Sequence, residues 1–156
     1  MAFTYLGIGT NLGDKEFNLN TAIQLISLEA GDVLQVSTFY HSKAWGFNSE
    51  NDFLNAALLV STDLTPMDLL EKTQAIERKM GRSGKSTKGY KDRIIDIDIL
   101  LYDNLIINQP KLKIPHPLMQ MRDFVLIPMA EIAPKLIHPS INETMLTLKN
   151  RLSLIT

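Results

Sequence analysis

The 156-residue sequence predicts an α+β fold (α/β in the broad sense). Its expected parts are an antiparallel sheet in β-α-β-β-α-β order, two helices on one sheet face, and short helices appended at the C-terminal end. Three observations predict it. Four segments alternate apolar and polar residues with period two, two segments between them carry apolar residues at helical spacing, and Gly- or Pro-bearing turns mark the joins.

Residues 3–9 alternate and read as the first strand. Residues 18–30 place Leu19, Ala22, Ile23 and Ile26 on one helical face, with Gly31 as the stop. Residues 33–42 and 52–62 read as two strands around a polar loop containing Trp45, Gly46 and Asn48. Thr65-Pro66-Met67-Asp68 is a helix start: Thr as N-cap, Pro at the first position, an acid at the third. That helix runs to about Met80 and stops at Gly81. Residues 82–92 read as polar loop and 94–102 as the last strand, followed beyond Asn104 by Pro-punctuated turns and short helices. This order is the ferredoxin-like arrangement. A single domain spanning 1–156 is expected, without repeat, linker or low-complexity segment.

Composition narrows the function classes. The chain is 45% hydrophobic and 21% charged, with a formal net charge of −1 and no cysteine, so disulfides and thiolate chemistry are excluded. Its apolar runs fall far short of the ~20 residues a membrane helix needs. No basic stretch followed by an apolar one opens the sequence, so a cytoplasmic location is expected. A monomer acting on small molecules, with no membrane partner, is the matching expectation. The charge is unevenly spread: residues 78–93 carry seven basic side chains against Asp92 alone, a local +6 on a body of −7. Such a segment is either a solvated loop or an anion site. A nucleic-acid partner is not expected, because the domain as a whole is not basic.

Alternation assigns the sheet faces. Leu6 and Ile8, Leu34 and Val36, every second residue from Leu54 to Val60, and Ile95, Ile97, Ile99 and Leu101 form the apolar sets expected under the helices. The opposite parity presents Tyr5, Gly7, Gly9, Ser37, Phe39, Phe53, Asn55, Asp96 and Asp98 on a face expected to stay available. Glycines, an amide, aromatics and two carboxylates are not ordinary solvated surface.

Asp96-Ile97-Asp98 is the strongest single feature. Residues two apart on a strand share a face, so the two carboxylates converge, and like charges that close call for a cation or an arginine. Hard oxygen ligands select Mg²⁺ or Mn²⁺, and two carboxylates plus substrate phosphates are the usual Mg²⁺ arrangement. A phosphate-bearing substrate also accounts for the basic segment just upstream. Other motifs fail. Gly84-Lys85-Ser86 lacks the first glycine of a Walker A loop, since Lys79 stands there, and it follows a helix instead of a strand. Gly7-Ile8-Gly9 lacks the third glycine of a dinucleotide fingerprint, position 12 being Leu12. His116, set between Pro115 and Pro117, is by itself either a structural loop histidine or a ligand contact.

Together, YLGIGTNLGD from Tyr5, FLNAAL from Phe53, QAIERKMGR from Gln74, RIIDIDILLYDN from Arg93 and IPHPLMQMRDFVLIPMAEIAP from Ile114 resemble the 6-hydroxymethyl-7,8-dihydropterin pyrophosphokinase family. The resemblance runs from Tyr5 to about Pro139. It implies a ferredoxin-like enzyme of folate biosynthesis that transfers pyrophosphate from ATP to the reduced hydroxymethylpterin and releases AMP. It further implies that Asp96 and Asp98 hold two Mg²⁺ ions, and that Arg82 and Arg93 act catalytically on the charge of the transferring group. Gln74, Glu77, Lys85, Tyr90, Ile99, Lys111, Lys113, His116 and Arg122 would line the ATP site. Asn55 would hydrogen-bond the pterin, Phe53 and Phe124 would flank its ring, and Gly9, Ser42, Lys43, Ala44 and Trp45 would close the pocket. The sequence departs from the common family pattern at Lys43, Gly84, Lys91-Asp92 and Pro117.

A second class has the same topology. An RNA-recognition module would place aromatics such as Tyr5 and Phe53 on its central strands. Its RNP1 signature is absent here, and Asp96 and Asp98 would repel phosphates without a metal between.

Overall fold

In the computed structural model, residues 1–43, 52–81 and 94–155 are described. The first strand, β1 (Ala2–Thr10), leads into α1 (Lys15–Glu29), and β2 (Asp32–Val36) and β3 (Tyr40–Ser42) follow. Next come β4 (Phe53–Thr62), α2 (Pro66–Lys79) and β5 (Asp96–Tyr102). The C-terminal part holds the hairpin of β6 (Ile107–Asn108) and β7 (Lys113–Ile114), a short 3₁₀ turn at Met119–Met121, then α3 (Asp123–Ile132) and α4 (Met145–Ile155). The main sheet is antiparallel in the order β2-β4-β1-β5, with β3 also paired to β4. The expected α+β class and βαββαβ order are therefore observed.

Helix starts follow local chemistry. Asp14 caps α1 by accepting the Phe17 N–H at 3.1 Å, so this helix begins ahead of the expected residue 18. Thr65 caps α2 through the Asp68 N–H at 3.2 Å, with Pro66 as its first residue. Gly81 then takes φ of +101°, the left-handed conformation that ends a helix.

The core has two parts. Leu19, Ala22 and Ile26 of α1 and Leu69 and Ile76 of α2 pack on Leu6, Ile8, Leu58, Val60, Ile97 and Ile99. A second cluster lies on the other face, where Val125, Leu126 and Met129 of α3 and Met145 and Leu148 of α4 cover Ala57, Leu100 and Leu101, with Tyr5 packed beside them. The face expected to stay available is thus half covered, because the segment beyond Asn104 folds back as a third layer.

Facing assignments change at three places as well. Register slips between Tyr5 and Leu6, which pair with Leu101 and Ile99, so Leu100 is an extra residue and Leu101 turns into the second core instead of the first. In β2 a slip between Val33 and Gln35 puts Val33 against the helix-side core and leaves Leu34 and Val36 exposed, at 50% and 40%. The single strand expected over 33–42 breaks in two. At the break Ser37 is buried and closes the ladder itself: its N–H donates to Ala57 O, and its Oγ accepts the Ala57 N–H, both at 2.9 Å. Beyond the break the parity moves by one. Phe39 turns into the helix-side core, and Tyr40 takes the place expected of it on the opposite face.

Candidate active site

Four strands put one residue each into a row across the uncovered half of the sheet. Tyr40 pairs with Asn55, Asn55 with Gly9, and Gly9 with Asp96; the next row runs Ala57, Gly7, Asp98. Directly paired residues share a face, so the two carboxylates of β5 stand beside two glycines, and in the first row only Gly9 separates Asp96 from Asn55. A β-carbon on Gly9 would lie 2.9 Å from Asn55 Oδ1, and one on Gly7 would lie 3.4 Å from Leu100 Cδ1.

Asn55 is buried and its orientation is fixed. Its Nδ2 donates to Ser42 Oγ at 2.8 Å and to the Tyr40 carbonyl at 3.2 Å, which turns Oδ1 toward Gly9. Phe53 precedes it by two residues on the same face and pairs with Ser42. Tyr40 stands in this row where the alternation expected Phe39: no glycine or proline marks the break after Val36, so nothing signalled the change of parity.

Asp98 sits between β1 and the C-terminal segment. Arg122 Nη1 approaches Asp98 Oδ2 to 3.8 Å and His116 Nε2 to 3.9 Å, ion-pair range and not hydrogen-bond range. Arg122 is buried, with its guanidinium 5.5 Å from the centre of the Phe124 ring. The His116 N–H to Leu100 carbonyl bond of 2.9 Å anchors this segment to β5. His116 Nδ1 accepts the Leu118 N–H at 3.2 Å, so in the neutral ring Nε2 carries the proton. Burial, and then the Arg122 charge, lower its pKa to about 4 against the opposing pull of Asp96. The contact with Asp98 is therefore made by a neutral imidazole at neutral pH.

The other expected residues are dispersed. Glu77 is buried, and its Oε2 accepts the Ile97 N–H at 2.7 Å. Gln74, three residues earlier, is exposed in an open groove along α2 with Asp68 and Lys72. The Ile99 side chain is buried in the helix-side core, on the face away from the carboxylates. Lys111 and Lys113 are exposed on the β6–β7 hairpin, where Lys113 Nζ donates to Asn108 Oδ1 at 3.0 Å. Lys43 is exposed beside Ser42. Ala44, Trp45, Arg82, Lys85, Tyr90 and Arg93 lie outside the described residues, as does most of the basic segment.

The donor set suits a hard cation. Among the described residues no three His, Cys, Asp or Glu side chains converge, so Asp96 and Asp98 could offer a cation two carboxylates, with its remaining positions left to other ligands. Two carboxylates with phosphates and water are how Mg²⁺ is usually held.

Known proteins resemble this chain in sequence and in fold. The sequence model of the family described as 7,8-dihydro-6-hydroxymethylpterin-pyrophosphokinase (HPPK) matches residues 5–134. A Porphyromonas gingivalis protein named 2-amino-4-hydroxy-6-hydroxymethyldihydropteridine pyrophosphokinase is 46% identical over 141 residues, covering 89% of this chain and 95% of that protein. An Aquifex aeolicus protein of the same name is 43% identical over 139 residues, covering 89% of this chain and 85% of its own. Among solved structures, wild-type Plasmodium falciparum HPPK-DHPS superposes with a TM-score of 0.81 at 17% identity over 96% of this chain. This chain spans 44% of that longer one, and the likeness is one of fold.

Proposed function

This chain belongs to the 7,8-dihydro-6-hydroxymethylpterin-pyrophosphokinase family, and on that premise we propose that its carboxylate face uses ATP as donor and two Mg²⁺ ions. It transfers pyrophosphate to 6-hydroxymethyl-7,8-dihydropterin, a step of folate biosynthesis. The observation that carries the finer reading is the pair of rows across the sheet, in which Asn55, Gly9 and Asp96 align and Gly7 and Asp98 lie alongside. An amide for a heterocycle and two acids for a metal–phosphate complex stand one strand apart, with only glycine between.

The pterin hydroxymethyl oxygen attacks the β-phosphorus of ATP, the bond from that phosphorus to the α-phosphate oxygen breaks, AMP leaves, and the hydroxyl proton passes to solvent. Such transfers ask for positioning and charge neutralisation more than for a strong base. Asp96 and Asp98 would hold the two Mg²⁺ ions, which when bound neutralise charge on the phosphate oxygens. Asn55 Oδ1, aimed by Ser42 and Tyr40, accepts from the pterin's N–H groups, while Phe53 and Phe124 flank its ring. Arg122 stands 3.8 Å from the Asp98 carboxylate as its counter-charge, and neutral His116 offers Nε2–H to a phosphate oxygen. Arg82 and Arg93 are assigned to the charge of the transferring group, with Gln74, Lys85, Tyr90, Lys111 and Lys113 around the nucleotide. The same reading makes the protein a cytoplasmic monomer that works on small molecules.

Nucleotide product analysis tests it. Protein, ATP and Mg²⁺ are incubated with and without the dihydropterin, and AMP formed only with pterin is expected. ADP in place of AMP would mean single-phosphoryl transfer on this scaffold, and no nucleotide turnover would overturn the reading.

A further inference from the structure

We propose that Glu77 is a positioning residue that fixes the Asp96–Asp98 segment through the backbone of Ile97, in place of the nucleotide contact that family resemblance implies for it. The proposal rests on the metal-binding reading of that carboxylate pair.

Among the described residues the sheet ends at β5, so no described strand satisfies the backbone groups on one side of it. At Ile97, midway between the two aspartates, a side chain fills that role: Glu77 Oε2 accepts the Ile97 N–H at 2.7 Å. Both residues are buried, Glu77 at 4% exposure and Ile97 at 6%, so water does not replace the bond if it is lost.

The geometry separates Glu77 from the ligand face. It follows Ile76, which packs with α2 in the helix-side core. Asp96 and Asp98 point to the other face, with Ile97 turned inward between them. The tethered N–H belongs to the peptide joining Asp96 to Ile97, so the bond fixes the Asp96 Cα directly and the Asp98 Cα through Ile97 and the peptide that follows it. Outer-shell partners of metal ligands act in this way, and removing one typically costs 10–100-fold in metal affinity or activity.

The probe is Mn²⁺ alone, titrated into the isotope-labelled protein while paramagnetic broadening of the Gly7 and Gly9 amides is followed, together with hydrogen exchange at Ile97. In Glu77→Ala the Mn²⁺ concentration for half-broadening should rise about tenfold or more, and Ile97 exchange should quicken. Amides of α1 and β4 should keep their positions. Glu77→Gln, which retains an acceptor oxygen, should restore most of both. Unchanged broadening and exchange in Glu77→Ala would overturn the proposal, as would a Glu77→Gln variant no better than alanine in a folded protein. A ligand role would instead raise the KM for ATP equally in both variants at saturating Mg²⁺. Wild-type protein whose Gly7 and Gly9 amides do not respond to Mn²⁺ would overturn the metal reading itself, while Ile97 exchange would still report whether Glu77 holds the strand.

Discussion

An alanine at Gly9 would bring its Cβ to 2.9 Å from Asn55 Oδ1, and the amide cannot swing away freely because Ser42 and Tyr40 hold its other end. Either the amide turns and loses those bonds or the strands part locally. A misaimed hydrogen bond in a buried site costs about 1–3 kcal/mol, so Gly9→Ala should weaken pterin binding roughly tenfold or more. Nucleotide binding should stay within about twofold, which titration calorimetry with each ligand checks. The two carboxylates should differ under substitution. Asp96→Asn and Asp98→Asn should each lower turnover by about 10³-fold or more if they hold the metal–phosphate complex. Asp98→Ala should in addition lower the melting temperature, since the buried Arg122 guanidinium then loses a nearby carboxylate. Near-normal turnover in Asp96→Asn would remove that residue from the metal site.

Legibility at the scale of elements depended on where the information was local. Thr65-Pro66 and Gly81 announce α2 because caps are short-range chemistry, and Asp96 and Asp98 could be placed on one face from their spacing alone. The Tyr5/Leu6 slip, the Val33/Gln35 slip and the Ser37 break could not be read, because each is settled by a partner strand or a covering helix far along the chain. The same holds for Glu77, whose partner lies twenty residues away on another element. The C-terminal segment gave the weakest signal, yet it contains a device with a pH signature. His138 is buried, its Nδ1 accepts the N–H groups of Ser140 and Ile141 at 3.2 and 3.1 Å, and its backbone N–H reaches Glu143 O at 2.9 Å. Nδ1 cannot carry a proton while two donors point at it. Burial, partly offset by a backbone hydrogen bond, accordingly holds the ring's pKa below the usual 6.5. A lowered histidine pKa means stability present above the unfolded value and lost as pH falls through it. Thermal melts between pH 7.5 and 5 should therefore show stability falling below about pH 6.5. The fall should be shallower in His138→Asn, and equal slopes for the two proteins would exclude His138 as a source.

Across the whole molecule, one sheet serves two cores. Leu58 belongs to the helix-side cluster and Ala57 to the cluster under α3 and α4, although they are adjacent in β4. Neither core can open without disturbing the strand that carries Asn55, and the site lies where the second core stops short of covering the sheet. Arg122 and Phe124 stand on that boundary, so the third layer both completes the fold and supplies two of the residues proposed for the site. The shared sheet implies one cooperative unfolding transition in place of two. Leu19→Ala in the first core and Leu126→Ala in the second each empty a fully buried leucine site, at an expected cost of ~2–5 kcal/mol. Both should move the urea midpoint of a single transition, read by fluorescence and by circular dichroism, without changing its slope. Pterin affinity separates the cores: Leu126→Ala should weaken it through the backing of Phe124, and Leu19→Ala should leave it within about twofold. A separate early transition in Leu126→Ala, with the sheet signal intact, would mean that the C-terminal layer is an independent unit docked on a finished fold.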